Sequence, residues 1–289
     1  MPLTPSRLLA TGAVCLLTAG LTVRPAMAQA GYVAESEIPP GDSLALQVQA
    51  LFAKGQHLKS LELLAPHMGH APADYTAWGM AARAALVLGY AVADTNPDAA
   101  KAWLHRAINY GQQAQALDSA GENGRYVTMS AQGQLALIES PIEKARLAHQ
   151  VYQEALALLA IDSLHAGAHD VLGRIYLEVA RLSGFQKFLG RAWLGGDLIH
   201  RATWDSAETH LRRAVQLQPG RNFYWLDLGT LLMARDRLDE ARGVLDTMLT
   251  VPLETPQQEG FRRQARALLR EIDARQGRGT VPDSTRGNR

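Results

Sequence analysis

Three groups of residues have types and spacings that could do chemistry. His165 and His169 stand four apart, so a helix sets both imidazoles on one side, as metal ligation requires. No glutamate lies between them in the zinc-protease arrangement, and Asp162 and Asp170 are only nearby. Polarity at a helix start explains the pair without a metal. Gly190 with Gly195-Gly196 offers the glycines of a phosphate loop, but neither the Gly-Lys-Ser/Thr sequence nor a preceding strand, which leaves a flexible stretch. Asp170, Arg174 and Glu178 form one polar stripe, each four residues from the next, beside Leu172, Gly173, Ile175 and Tyr176. Such a stripe is either an exposed face with ion pairs of ~0.2–0.5 kcal/mol each, or a surface that recognises a partner. No Gly-x-Ser-x-Gly elbow occurs. These residues give no catalytic assignment, no metal and no cofactor.

The element that must position the stripe is a helical hairpin, and its spacing appears twice. Trp225 is followed by Leu228-Gly229, Leu232, Ala241, Leu245, Met248 and Pro252. Leu172-Gly173 and Tyr176 repeat that register, with Ala207, Leu211, Ala214 and Pro219. Small residues let two helix backbones cross closely, and the bulky ones fill the gaps beside the crossing. Proline at 219 and 252 cannot continue a helix and starts the next turn. The pattern resembles the tetratricopeptide repeat of Trp, Leu-Gly, Tyr, Ala, Phe and Pro on a 34-residue period. That resemblance implies a stack of hairpins whose first helices line a concave groove for partners. Asp170, Arg174 and Glu178 then face the groove, and Arg83, Gln134 and Thr230 hold comparable places on other first helices.

Helical period runs through nearly the whole chain and no alternating strand pattern competes with it, so the expectation is an all-α superhelix, an α-solenoid. Helices are expected near 43–54, 56–68, 72–93, 97–117, 123–138, 141–161, 165–183, 203–217, 221–235, 237–250 and 256–275. Asn96-Pro97-Asp98 and Ser140-Pro141-Ile142-Glu143 are plain starts, with proline at the first helical position and an acid in the first turn. Asp42 or Ser43 should cap the first helix. Fainter repeats lie upstream: Gly133 as a crossing glycine with Ala148, Tyr152 and Ala155, and Ala100, Leu104 and Ala107 with Trp78. A degenerate first pair (Phe52, Gly55, Ser60, Leu64) is cut short at Pro66.

The ends read differently. Arg7 precedes an apolar run, Leu8 to Val23, with no acid before Glu35, and Ala26-Met27-Ala28 suits a signal peptidase. Residues 1–28 are therefore expected to be a secretory signal cleaved after Ala28, followed by a linker at 29–41. Cys15, the only cysteine, lies within that signal, so the mature chain has no thiol and no disulfide. The chain has 29 basic and 28 acidic residues, and losing Arg7 and Arg24 takes the formal charge from +1 to −1. With no basic block, nucleic acid is not an expected partner. The repeat domain is expected to span 42–275, with a disordered tail at 276–289.

One feature breaks the period. Gly173 and Ala207 are 34 apart where Gly229 and Ala241 are 12 apart, so 22 residues enter between the helices of one repeat. The insert, about 183–202, carries Phe185, Phe188, Leu189, Trp193, Leu194, Leu198 and Ile199 with Lys187 and Arg191. Three destinations are open to it. It folds back over the repeats, or it forms a partner surface, or Phe188, Trp193 and Leu194 dip into a bilayer with the cations at the headgroups.

Around the insert a narrower resemblance appears. Leu172-Gly173-Arg174, the run Val179 to Lys187 and the run Ala202 to Glu208, leading to Ala214 and Pro219, are similar to the regulator of microtubule dynamics family over about 140–235. Where that family has a tryptophan-rich first helix, this sequence has Ile175 and Tyr176. The resemblance implies a repeat fold that binds partners. It does not imply microtubules for an exported chain. The functional expectation is a non-catalytic scaffold in a bacterial periplasm or envelope, holding a protein or peptide in its groove. Peripheral membrane contact through the insert is the alternative.

Overall fold

The structure, a computed structural model, describes residues 42–253 and 258–278. The expected signal and linker, and most of the expected tail, lie outside the described residues. Thirteen helices follow one another among the described residues: α1 (Ser43–Ala53), α2 (His57–His70), α3 (Tyr75–Val92), α4 (Pro97–Leu117), α5 (Glu122–Ile138), α6 (Pro141–Ile161), α7 (Ala166–Arg181), α8 (Gly184–Leu194), α9 (Gly196–Arg201), α10 (Trp204–Leu217), α11 (Asn222–Ala234), α12 (Leu238–Thr250) and α13 (Gln258–Arg275). They stack as antiparallel pairs α1/α2, α3/α4, α5/α6, α7/α10 and α11/α12, with α13 closing the row. The chain is an all-α solenoid.

Local chemistry sets the starts. Asp42, Asp74 and Asn96 accept the amides of Ala45, Ala77 and Ala99 at 2.9, 3.0 and 3.0 Å. Each satisfies a donor that the first helical turn leaves open. Asp74 is why α3 begins at Tyr75 rather than at Pro72. His165 does the same for α7, its Nδ1 accepting from Ala168 N at 3.1 Å. Two tryptophans brace equivalent turns: Trp78 and Trp225 donate to the carbonyls of Pro72 and Pro219 at 2.9 and 2.8 Å.

Crossing glycines join the pairs. A Cβ on Gly173 would lie 2.6 Å from Leu211, and one on Gly229 would lie 2.7 Å from Leu245. Gly89 plays the same part in α3, 3.0 Å from Leu104. Gly133 does not. Nothing lies within 4 Å of its missing Cβ, so the glycine expected at the α5/α6 crossing faces open space. Pro66 departs from expectation too, because α2 runs through it to His70. Pro66 and Glu62, whose carbonyl the proline leaves without a helical donor, are both exposed, so water can take that carbonyl. Leu64 and Met68 are buried and hold the last turns.

The insert is neither loose nor glycine-softened. Ser183 and Gln186 form a capping box that ends the preceding helix early and starts α8. Gly190 is buried inside α8, and Gly195, at φ +80°, is the joint into α9. The pair lies on α6 and α7. His149 Nδ1 meets the Leu194 carbonyl at 2.9 Å, and the Tyr152 hydroxyl donates to Asp197 at 2.5 Å.

Candidate functional site

The polar stripe of α7 is not an exposed face. Asp170 is 2% exposed. Arg174 reaches Asp170 at 4.0 Å and, across to the next first helix, Asp227 of α11 at 3.7 Å. Arg174 and Asp227 keep 17% and 12% of their side chains in contact with solvent, so the cluster is deep but open at the top. The buried Oδ1 of Asp170 and Oδ2 of Asp227 receive no N–H or O–H from the protein. Their carboxyls lie within hydrogen-bonding reach of one another, so a proton held by Asp170 and donated to Asp227 satisfies both. Burial first, then the facing Asp227 charge, pushes Asp170 well above the usual carboxylate range, with Arg174 pulling back. Burial raises Asp227 as well, and Arg174 and the bond from Asp170 oppose it. Burial alone would lower Arg174, but Asp227 and Asp170 outweigh it and keep the guanidinium charged.

Tyrosines from neighbouring first helices surround this group. Tyr90 of α3 feels burial, Tyr126 and Arg174, and its buried hydroxyl receives and gives no hydrogen bond within the protein. Burial followed by the charge of Asp170 raises Tyr126 of α5. Tyr224 of α11 is raised by burial, Tyr126 and Asp170 in turn. Arg174, two carboxyls and several phenols, with Arg83 and Arg221 close enough to act on the tyrosines, make a site rich in donors and acceptors. That composition suits recognition of polar groups.

The other sequence candidates fall elsewhere. Glu178 pairs with Arg181 at 2.7 Å, and burial raises its carboxyl despite that partner. Arg83 is buried and donates to Asn123 Oδ1 at 2.9 Å. Gln134 is buried on α5. Thr230 is half-buried and its hydroxyl donates back to Leu226 O at 2.8 Å. Asp227 was missed by the stripe argument, although it is the single charged residue of α11 and so had a signal. His169 turns to His210, Nδ1 to Nδ1 at 2.9 Å. Among the described residues no group of three or more His, Cys, Asp or Glu is placed to hold a metal ion.

Phe188, Trp193 and Leu194 do not share a surface. Leu194 is 3% exposed and Trp193 packs on the main core, whereas Phe188 is 74% exposed. The helical turn of α8 separates them, sending Phe185 and Phe188 outward.

The sequence profile of the regulator of microtubule dynamics protein 1-3 family matches residues 44–273, well beyond the insert and its flanks. The chain belongs to that family. No curated protein matches it. Among solved structures, a thermophilic tetratricopeptide-repeat protein of Thermus thermophilus is similar at 21% identity and a TM-score of 0.54, covering 78% of this chain and 97% of its own. That likeness concerns the fold. Yeast Tom70 aligns at 13% identity and a TM-score of 0.25 over 86% of this chain and 67% of its own, too low to argue from. The family match and the structural likeness agree on a helical-repeat solenoid.

Proposed function

We propose that this chain is a non-catalytic scaffold of a bacterial cell envelope, exported to the periplasm, that holds a peptide or helix of a protein partner along its groove. The observation that carries the reading is the Asp170–Arg174–Asp227 cluster. It joins two successive first helices of the stack and keeps part of Arg174 and Asp227 open to solvent. A buried charged group costs several kcal/mol that an apolar side chain would not, so a cluster of this kind kept partly open to solvent supports binding rather than packing. The Leu8 to Val23 run and Ala26-Met27-Ala28 support export, with Gln29 as the mature N-terminus.

The test is site-specific photo-crosslinking in cells. A crosslinker at Thr230, beside the cluster, should trap a defined protein, and one at the exposed Thr209 of α10 should not. Arg174→Gln with Asp227→Asn should remove the Thr230 adduct. Equal trapping at both positions overturns groove binding. N-terminal sequencing that finds Met1 instead of Gln29 overturns the compartment.

A further inference from the structure

The outer face of α8 has no role in packing the repeats. Phe188 and Phe185 are 74% and 61% exposed, the highest values among the large apolar side chains described. They stand three apart, one row on one helix, with exposed Arg191 continuing the row and exposed Arg181 just before it. The opposite side of α8, Gly190 and Leu194, is buried, which fixes the helix with the phenylalanines outward.

Charge is skewed at the same place. Residues 181–201 hold Arg181, Lys187, Arg191 and Arg201 against a single acid, Asp197, a formal +3 in a chain whose total is +1. Asp197 is engaged by Arg201 at 2.8 Å and by Tyr152, and Arg181 by Glu178. Arg191 is the exposed cation of the aromatic row, on a helix with no acid at all, while half-buried Lys187 turns its ammonium back to the Ala180 carbonyl at 3.5 Å. The face is convex, a single helix of 11 residues about 16 Å long. A protein partner would need a matching apolar groove rimmed with acids. A planar, deformable, negatively charged surface needs neither.

We infer that the outer face of α8 docks the protein on an anionic phospholipid surface, with Phe185 and Phe188 entering the headgroup–acyl boundary and Arg191, next in their row, lying among the phosphates. The helix lies flat on the bilayer and crosses nothing; no helix among the described residues is long and apolar enough to span a membrane. The solenoid groove stays open to its partner. The insert anchors and the repeats recognise.

The test is vesicle cosedimentation of the mature chain purified from the exported fraction. Vesicles of phosphatidylglycerol and phosphatidylcholine should bind it, and phosphatidylcholine alone should not. Each phenylalanine leaving water is worth on the order of tenfold in partitioning, so Phe185→Ser with Phe188→Ser should lose tenfold or more with unchanged thermal stability. Arg191→Glu should weaken binding to the anionic vesicles roughly tenfold or more, and Leu58→Ser, on a remote exposed site, should change nothing. Because the mature chain has no cysteine, Ala192→Cys carrying a polarity-sensitive dye reads the same contact without touching the phenylalanines. Its emission should shift blue on anionic vesicles only. Absence of wild-type binding, or binding that both the phenylalanine and the arginine variants retain, overturns the inference. So does a double variant that alters only self-association in sedimentation, or only protein capture.

Discussion

Tyr152 has no exposed surface, yet its hydroxyl donates at 2.5 Å to Asp197, a carboxylate at the start of a six-residue helix outside the repeats. Burial, reinforced by Asp197, keeps the phenol protonated, so the bond persists across the physiological range. With His149 on the Leu194 carbonyl, it is the polar fastening of the insert to α6. Tyr152→Phe keeps the packing and deletes the fastening. Limited trypsin digestion should then cut faster at Arg191 and Arg201, while the global thermal midpoint changes little. Unchanged cleavage would mean that apolar contacts of Leu194 and Leu198 alone hold the insert.

Two glycines of the same type should respond in opposite ways. Gly229→Leu forces a side chain where even a Cβ would sit 2.7 Å from Leu245, and overpacking of this kind costs ~1–3 kcal/mol. Gly133→Ala adds a methyl to open space within a helix and should stabilise by about 0.5–1 kcal/mol. Urea unfolding of both variants measures this. Two losses of equal size would show that Gly133 is a crossing residue after all.

That pair also marks where the sequence was legible. Helix starts could be read because Asp42 and Asn96 cap within three residues, and those contacts are local. Gly173 and Gly229 could be read because Leu-Gly and a following alanine fix the phase of both helices. Gly133 lacks such a partner, and a glycine alone does not say which side of its helix meets the neighbour. Gly89 was overlooked for the opposite reason, lying in an alanine-rich helix where many positions are small. Asp227 joins Arg174 only through the stacking of two repeats, a relation no spacing within one helix reveals. The helicity of the insert was hidden by its glycines, although Ser183 and Gln186 carried the start signal.

Asp170→Asn tests the shared proton. The folded state raises the Asp170 pKa, so its contribution to stability is complete below the unfolded value of about 3.9 and is lost as pH rises through the folded value. Asparagine can donate to Asp227 without a titrating proton, and Asp227 still faces Arg174. The variant should come nearest to the wild type at about pH 4 and exceed it increasingly toward pH 8, by on the order of 1 kcal/mol or more. Denaturant midpoints across that range give the answer. A variant less stable at every pH would show that Asp170 is needed as an anion beside Arg174.

The His169–His210 contact predicts acid sensitivity of the opposite sign. Two Nδ1 atoms 2.9 Å apart can share one hydrogen, and a proton on both would set donor against donor. Burial, then His169, lowers His210 to about 4, and burial also lowers His169, with Arg213 adding to that and Ser163 O and Asp162 opposing it. Tyr176 meets the His210 ring edge-on and adds no charge. A histidine with a depressed folded pKa stabilises fully above the unfolded value of about 6.5 and loses that contribution as pH falls through the folded value. Each such gap is worth at most ~1.4 kcal/mol per pH unit, and partial exposure of His210 should reduce it to roughly half. Between pH 6.5 and 4.5 the wild type should therefore lose stability faster than His210→Gln, which cannot titrate. The Asp170 contribution runs the other way but is common to both proteins, so it cancels in the difference. Parallel unfolding curves for the two proteins across this window would show that His210 is already satisfied when charged.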